Sequence, residues 1–288
     1  MLKKVLIVGK TSYIGLSFQK WIQQTEPDWI VNCISSRDHA WESENYGEYD
    51  TVLHVAGIAH VDASKNMENM YYRINRDLTV DSCRKAKKEG CKQFVFLSSL
   101  IVYGESDSLD PVRITKDTVP QPNGFYGQSK WEAENGIFNQ ETETFSVAAI
   151  RPPMVYGKGS KGNYPKLARL ATSFPVFPEF PNQRSMIHID NLCECIRLVI
   201  AKEARGVFCP QNKEYVSTTD LVCEIARVEG KKMHTTKVFN PVIRLLAKRI
   251  HMINKVFGSF VYEKEMSDCF EWSYCVHDFK ESIKRTQT

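Results

Sequence analysis

The chain has 288 residues, 42% hydrophobic and 25% charged, with 15 Gly and 12 Pro. That composition excludes a collagen-like chain, a disordered chain and a disulfide scaffold, and the length fits two domains or one domain with a smaller lobe. A formal charge of +4 is too small to indicate nucleic acid, and no apolar run approaches the roughly 18 residues of a transmembrane span. The start, Met1-Leu2-Lys3-Lys4-Val5, lacks the length and cleavage site of a signal peptide. Nine cysteines scattered from Cys33 to Cys275 indicate reduced thiols and a cytoplasmic protein. Cys193 and Cys195 have no second pair at zinc-site spacing, so no metal is expected. The scattered Trp and Tyr form no base-stacking platform.

In chain order, residues 3–8 read as a strand and 14–24 as a helix, 30–34 and 51–55 as strands, and 67–89 as a long helix. Residues 93–97 read as a strand, 126–140 as a helix and 145–150 as a strand. Strand, helix and strand in this rhythm imply right-handed crossovers, which predicts an α/β fold with a doubly wound parallel sheet over 1–150. Continuous apolar strands such as Lys4-Val5-Leu6-Ile7-Val8 suit a sheet buried on both faces. Residues 104–123, with Pro111, Pro120 and Pro122, read as an active-site loop. Pro152, Pro153, Pro175, Pro178 and Pro181 then break the pattern. Residues 151–288 are expected to form a smaller mixed α/β substrate lobe, part of which returns to the first domain. Within that lobe, 230–262 contains seven Lys or Arg and no Asp or Glu. Residues 242–256 have helical spacing, with Val242, Leu245, Leu246, Ile250 and Ile253 on one face. The expectation is an amphipathic helix packed on the lobe by that face, its basic side solvated or facing an anionic ligand, in preference to a membrane-surface helix.

The turn after the first strand reads Gly9-Lys10-Thr11-Ser12-Tyr13-Ile14-Gly15. A glycine at its start lets the backbone approach a pyrophosphate, whose charge the helix N-terminus holds, and Gly15 lets the helix pack on the strand. At the end of the second strand a carboxylate favours NAD and an arginine favours the 2′-phosphate of NADP. This chain has Ser35-Ser36-Arg37 there, with Asp38 one place beyond. Ser36 and Arg37 therefore tilt the expectation toward NADP(H) over NAD(H). Ser98-Ser99 follow the strand at 93–97, and Tyr126 and Lys130, four apart, share a helix face. A nearby ammonium draws a tyrosine hydroxyl below its usual value of about 10. Such a tyrosine can exchange a proton with a hydroxyl or carbonyl while a nicotinamide exchanges the hydride. His60, Asp62 and His188 are expected to be structural.

Together these residues resemble the extended short-chain dehydrogenases/reductases, the NAD(P)-dependent epimerase/dehydratase family, built on a Rossmann sheet. The resemblance covers nearly the whole chain, by motif as far as Val207. His54-Val55-Ala56-Gly57-Ile58 resembles the family's strand-end segment beside the cofactor, and Asn75 its helix asparagine. Leu97-Ser98-Ser99-Leu100-Ile101-Val102-Tyr103-Gly104 matches the catalytic serine segment, which makes Ser99, Tyr126 and Lys130 the implied catalytic residues. The implied cofactor contacts are Gly9, Thr11, Ser12, Tyr13, Ile14, Gly15, Ser36, Arg37, Ala56, Gly57, Ile58, Asn75, Tyr126, Lys130 and Pro153. Arg184-Ser185-Met186-Ile187-His188-Ile189-Asp190 resembles the segment whose arginine binds a substrate diphosphate. Substrate contacts are accordingly implied for Ser99, Lys161, Asn163 and Arg184.

The resemblance implies hydride transfer at C4 of a UDP-linked hexose. Arg151-Pro152-Pro153-Met154-Val155-Tyr156-Gly157 and the following Gly159-Ser160-Lys161-Gly162-Asn163-Tyr164 resemble a branch serving bacterial capsule and O-antigen synthesis. Within it, Arg37 and Met154 favour a 4-ketoreductase of a UDP-4-keto-6-deoxy sugar. The alternative is a UDP-glucose 4-epimerase type with retained NAD; a non-catalytic NADP-binding regulator would not need Ser99, Tyr126 and Lys130 together. The expected partner is a nucleotide sugar and not nucleic acid, with a homodimer and a membrane contact through 230–262 left open. Three features depart from the family pattern: Ser12 replaces the central glycine of the turn, Met154 replaces an asparagine, and too few residues separate Ile34 from Asp50 for the usual extra βα unit.

Overall fold

The computed structural model describes every residue except Met1, Asp38, 60–66 and 106–107, so His60 and Asp62 lie outside the described residues. The chain runs β1 (Lys4–Val8), α1 (Tyr13–Thr25), β2 (Ile30–Ile34), α2 (Ala40–Ser43), β3 (Thr51–His54), α3 (Glu68–Tyr71), a π turn (Tyr72–Asp77), α4 (Leu78–Lys88) and β4 (Gln93–Leu97). Next come β5 (Val112–Ile114), α5 (Phe125–Phe138), β6 (Ser146–Ile150), β7 (Met154–Tyr156), α6 (Asn163–Ser173), β8 (Val176–Pro178) and β9 (Met186–His188). Then follow α7 (Ile189–Ala201), β10 (Gly206–Phe208), α8 (Thr218–Val228), β11 (His234–Thr236), α9 (Asn240–Ala247) and α10 (His251–Phe257). The chain ends with β12 (Phe260–Tyr262), α11 (Lys264–Ser267) and α12 (Phe279–Gln287). It divides into two compact units: Met1–Gly104 with Val119–Pro152 and Leu192–Pro210, and Glu105–Thr118 with Pro153–Asn191 and Gln211–Thr288.

The first unit contains a six-stranded sheet in the order β10-β6-β4-β3-β1-β2, parallel at every pairing. This is the doubly wound Rossmann-type α/β sheet that the alternation of runs predicts. Every residue of β3, β4 and β6 is buried, which is why their central residues read as apolar runs rather than alternating ones, with polar residues only at strand ends. β2, at the sheet edge, is only partly buried. Between Ile34 and Thr51 the described residues form α2 and a single turn, Tyr46–Glu48, and no strand extends the sheet beyond β2. The short spacing seen in the sequence is thus a shortened sheet.

The second unit has three parallel strand pairs, β7 with β9, β8 with β11 and β5 with β12. Its core gathers Tyr156, Leu167, Leu221, Ile225, Phe257 and Ile283. α8 starts with a reciprocal cap, Ser217 and Asp220 each accepting from the other's backbone N–H.

Two expectations are corrected. Residues 104–123 are not simply a loop, because β5 lies within them and pairs with β12. Residues 242–256 are not one helix, and their apolar face is not packed inward. α9 ends at Ala247 and α10 begins at His251. Val242, Leu245, Leu246 and Ile250 are 53, 68, 37 and 43% exposed, whereas Ile243 and Ala247 are 7 and 8% exposed. The four-residue step from Ile243 to Ala247 gives α9 a narrow inward stripe on the other side of the helix. Ile253 alone of the expected set packs against the core. Among the described residues no helix is long and apolar enough to cross a membrane.

Candidate active site

In the first unit, β1 delivers the chain to the glycine turn at its carboxyl end, where open α/β sheets bind ligands. Gly9 has φ +129°, and a Cβ there would stand 2.9 Å from the backbone nitrogen of Ala56. No other residue fits. The turn is held by Gly9 N–H and Lys10 N–H donating to the Ile34 carbonyl at 3.0 and 2.9 Å. Ser12, which departs from the glycine pattern, has a structural reason: its hydroxyl caps α1 by accepting from Gly15 N–H at 3.3 Å. A Cβ on Gly15 would meet Val55 at 3.0 Å and Ile7 at 3.1 Å, so this glycine sets the seating of α1 on the sheet. Close backbone approach at Gly9 and a capped helix N-terminus fit a dinucleotide pyrophosphate. Thr11 is exposed on the turn, and Tyr13 and Ile14 open α1 partly buried.

Gly57 and Ile58 follow β3 and are fixed by Asn75. The Asn75 side chain accepts from Ile58 N–H at 2.9 Å and donates to the Ile58 carbonyl at 3.1 Å and to Ser129 Oγ at 3.2 Å. Asn75 lies in the π turn, a local rewinding that often marks functional positions. A Cβ on Gly57 would stand 3.0 Å from Asn75 Oδ1 and 3.2 Å from Lys130 Nζ, so the strand-end loop, Asn75 and Lys130 converge.

α5 carries Tyr126 and Lys130 on one face, and Ser99 follows β4. Ser99 lies close enough to the Tyr126 hydroxyl to lower its pKa and caps the turn Leu100–Tyr103 by accepting from Ile101 N–H at 3.3 Å. Burial pushes the Tyr126 hydroxyl up to about 12, with Ser99 pulling it down. That differs from the lowering expected from a neighbouring ammonium. The reason is that Lys130 Nζ donates to the Leu97 carbonyl at 2.9 Å, above the Phe96 ring. Burial draws Lys130 itself down to about 7, and the Glu134 carboxylate opposes this.

Lys130 therefore makes stability depend on pH. Its folded pKa lies below its ordinary 10.5, so between about 7 and 10.5 the unfolded chain binds more protons and stability rises with pH. Lys130→Met removes this contribution. The melting temperature of the variant relative to the parent is expected to fall as pH rises through that window; a constant difference would refute it.

Glu134 was not apparent as a site residue. It is fully buried one turn beyond Lys130, accepts from Ser98 Oγ, and receives Arg151 Nε at 3.0 and 3.1 Å. It ties α5 to the segment carrying Ser99, and its four-residue spacing from Lys130 was the available signal. His54, buried beside Phe94 and Phe96, has no hydrogen-bond partner at either ring nitrogen among the described residues, and burial draws it down to about 3. It stays neutral. Ser36 is partly buried after β2, and Arg37 is exposed, its N–H donating to Ser35 Oγ at 3.2 Å.

In the second unit, a cavity of about 280 Å³ is lined by Met154, Asn163, Leu167, Arg184, Met252 and Val256, among others. Arg184 donates to the Lys255 carbonyl and, at 3.5 Å, to that of Gly258. Among the described residues no carboxylate pairs with it, and burial lowers its pKa. Lys161 is exposed outside the cavity lining, and Pro153 is buried. His188 ends β9, buried, and its Nδ1 accepts from Asp190 N–H at 3.3 Å.

The chain matches the model of the NAD dependent epimerase/dehydratase family over residues 43–208. It is 31% identical over 252 residues to a UDP-glucose 4-epimerase of Vibrio cholerae, covering 78% of this chain and 76% of that one. It is 27% identical over 274 residues, 88% of this chain and 81% of the other, to an N-acetyl-alpha-D-glucosaminyl-diphospho-ditrans,octacis-undecaprenol 4-epimerase of Escherichia coli O157:H7. Among solved structures, a dTDP-4-dehydrorhamnose reductase of Clostridium acetobutylicum shares the fold with a TM-score of 0.74, at 20% identity and 98% coverage of each chain. With the glycine turn, the Ser99–Tyr126 contact and a family match across more than half its length, this chain belongs to the NAD dependent epimerase/dehydratase family.

Proposed function

We propose that this chain is a nicotinamide-dependent 4-epimerase of a UDP-linked hexose. The observation that carries the reading is the approach of Ser99 to the Tyr126 hydroxyl, in the same unit as buried Lys130 and the Gly9 turn. When bound, the nicotinamide supplies hydride exchange at C4, and the turn at residues 9–15 holds its pyrophosphate. Tyr126 removes the O4 proton as C4 is oxidised and returns it as C4 is reduced, while Ser99 holds the same oxygen. Ser99 lowers the pKa of the Tyr126 hydroxyl against the burial that raises it to about 12, and Lys130, on the same helix face, donates to the Leu97 carbonyl. Arg184, a cation without a carboxylate partner among the described residues, takes the sugar diphosphate in the cavity that Asn163 also lines. The 4-epimerase names of the relatives from Vibrio cholerae and Escherichia coli support the choice of reaction.

Exposed Arg37 favours a second reading, a 4-ketoreductase of a UDP-4-keto-6-deoxy sugar using NADPH, in which Tyr126 only donates its proton. Incubating the protein with UDP-glucose and NAD, and following the sugar by NMR, is expected to give the C4 epimer without net cofactor reduction. Absence of an epimer from UDP-hexoses, with NADPH consumed by the keto sugar, would replace the first reading by the second. Arg37→Ala separates them again: NAD binding is expected to stay unchanged, whereas a selective loss of NADPH affinity of about tenfold, the lower worth of a charge-assisted contact, belongs to the reductase.

A further inference from the structure

We propose that α9 and the start of α10 form a docking face for an anionic lipid bilayer. Val238 and Phe239 precede α9, and Val242, Leu245 and Leu246 continue the same side at helical spacing. These five residues are 78, 47, 53, 68 and 37% exposed, and Ile250 and Met252 add 43 and 57% just beyond. Helix surfaces facing water are normally polar, and large apolar groups clustered on one face mark a contact surface.

Charge selects the occupant. Residues 230–262 have seven cations and no carboxylate. Lys237 pairs with Glu179 at 3.2 Å, and Lys255 and His251 pair with Glu105 at 2.9 and 3.2 Å. Arg244 stacks over the Phe180 ring. Lys232, Arg244, Lys248 and Arg249 form no ion pair among the described residues, and all four are exposed. A two-fold contact between copies would press this face on itself and bring like charges together. A surface that is anionic, accepts inserted apolar side chains and needs no shape match is a bilayer with acidic headgroups, where such helices lie in the interface. Met252 and Val256 of α10 also line the cavity that contains Arg184, so docking would bring that cavity wall to the lipid surface.

The test is sedimentation of the full chain with vesicles of mixed phosphatidylglycerol and phosphatidylcholine, and with phosphatidylcholine alone. Binding to the anionic vesicles is expected, weakening as salt rises. The paired substitution Val242→Ser with Leu245→Ser, at exposed positions, and the pair Lys248→Glu with Arg249→Glu are each expected to weaken it by about tenfold or more, with melting temperature unchanged. No binding to anionic vesicles, or unchanged binding by both variants, would overturn the proposal. So would a self-association of the parent, in lipid-free ultracentrifugation, that the serine pair abolishes. Turnover of soluble UDP-sugars without vesicles tests the catalytic reading separately, and neither result decides the other.

Discussion

Tyr126→Phe is expected to lower turnover of the sugar nucleotide by about 10²–10⁴-fold, the contribution of a positioned proton donor and acceptor. The ring remains to pack edge-on against Tyr71, 5.9 Å away between centroids, so the fold should persist and cofactor affinity should change little. The variant loses only the hydroxyl that Ser99 holds. Initial rates on the turned-over substrate, beside a melting curve, check this. Near-parental turnover would remove Tyr126 from the proton path, and the assignment of Ser99 as its partner would fall with it.

Arg184→Ala is expected to raise the KM for the sugar nucleotide by roughly 10–150-fold, the range for a charge-assisted hydrogen bond, with NAD affinity nearly unchanged. The physical basis is an uncompensated charge. Arg184 has carbonyl oxygens of Lys255 and Gly258 as partners and, among the described residues, no carboxylate, and burial lowers its pKa. A diphosphate supplies the missing negative charge, and a guanidinium fork suits two phosphate oxygens. The competing account is that Arg184 ties its own strand bridges to α10 through those carbonyls. In that case the variant loses melting temperature and both affinities together. Measuring KM, NAD affinity and melting temperature on one protein separates the two accounts.

The sequence alone determined the parallel sheet and the place of the glycine turn, because both rest on local rules. Parallel strands buried on both faces run apolar after their first residue, as in β4 and β6, and a φ of +129° with a backbone atom 2.9 Å from a would-be Cβ can be met only by glycine, as at Gly9. The pairing of Tyr126 with Lys130 on one helix face was legible for the same reason, since helical spacing is local. Tertiary structure decided what those side chains do. Lys130 is directed to the Leu97 carbonyl and the Tyr126 hydroxyl is raised by burial, and neither effect can be read from spacing because desolvation depends on everything packed around the group. Glu134 joined the site only through Arg151 and Ser98, which follow β6 and β4. α9 shows the limit most directly. Its periodicity marked an apolar face correctly, but which face meets the core depends on the partner surface. The unit offered a place for Ile243 and Ala247 and left Val242 and Leu245 in water.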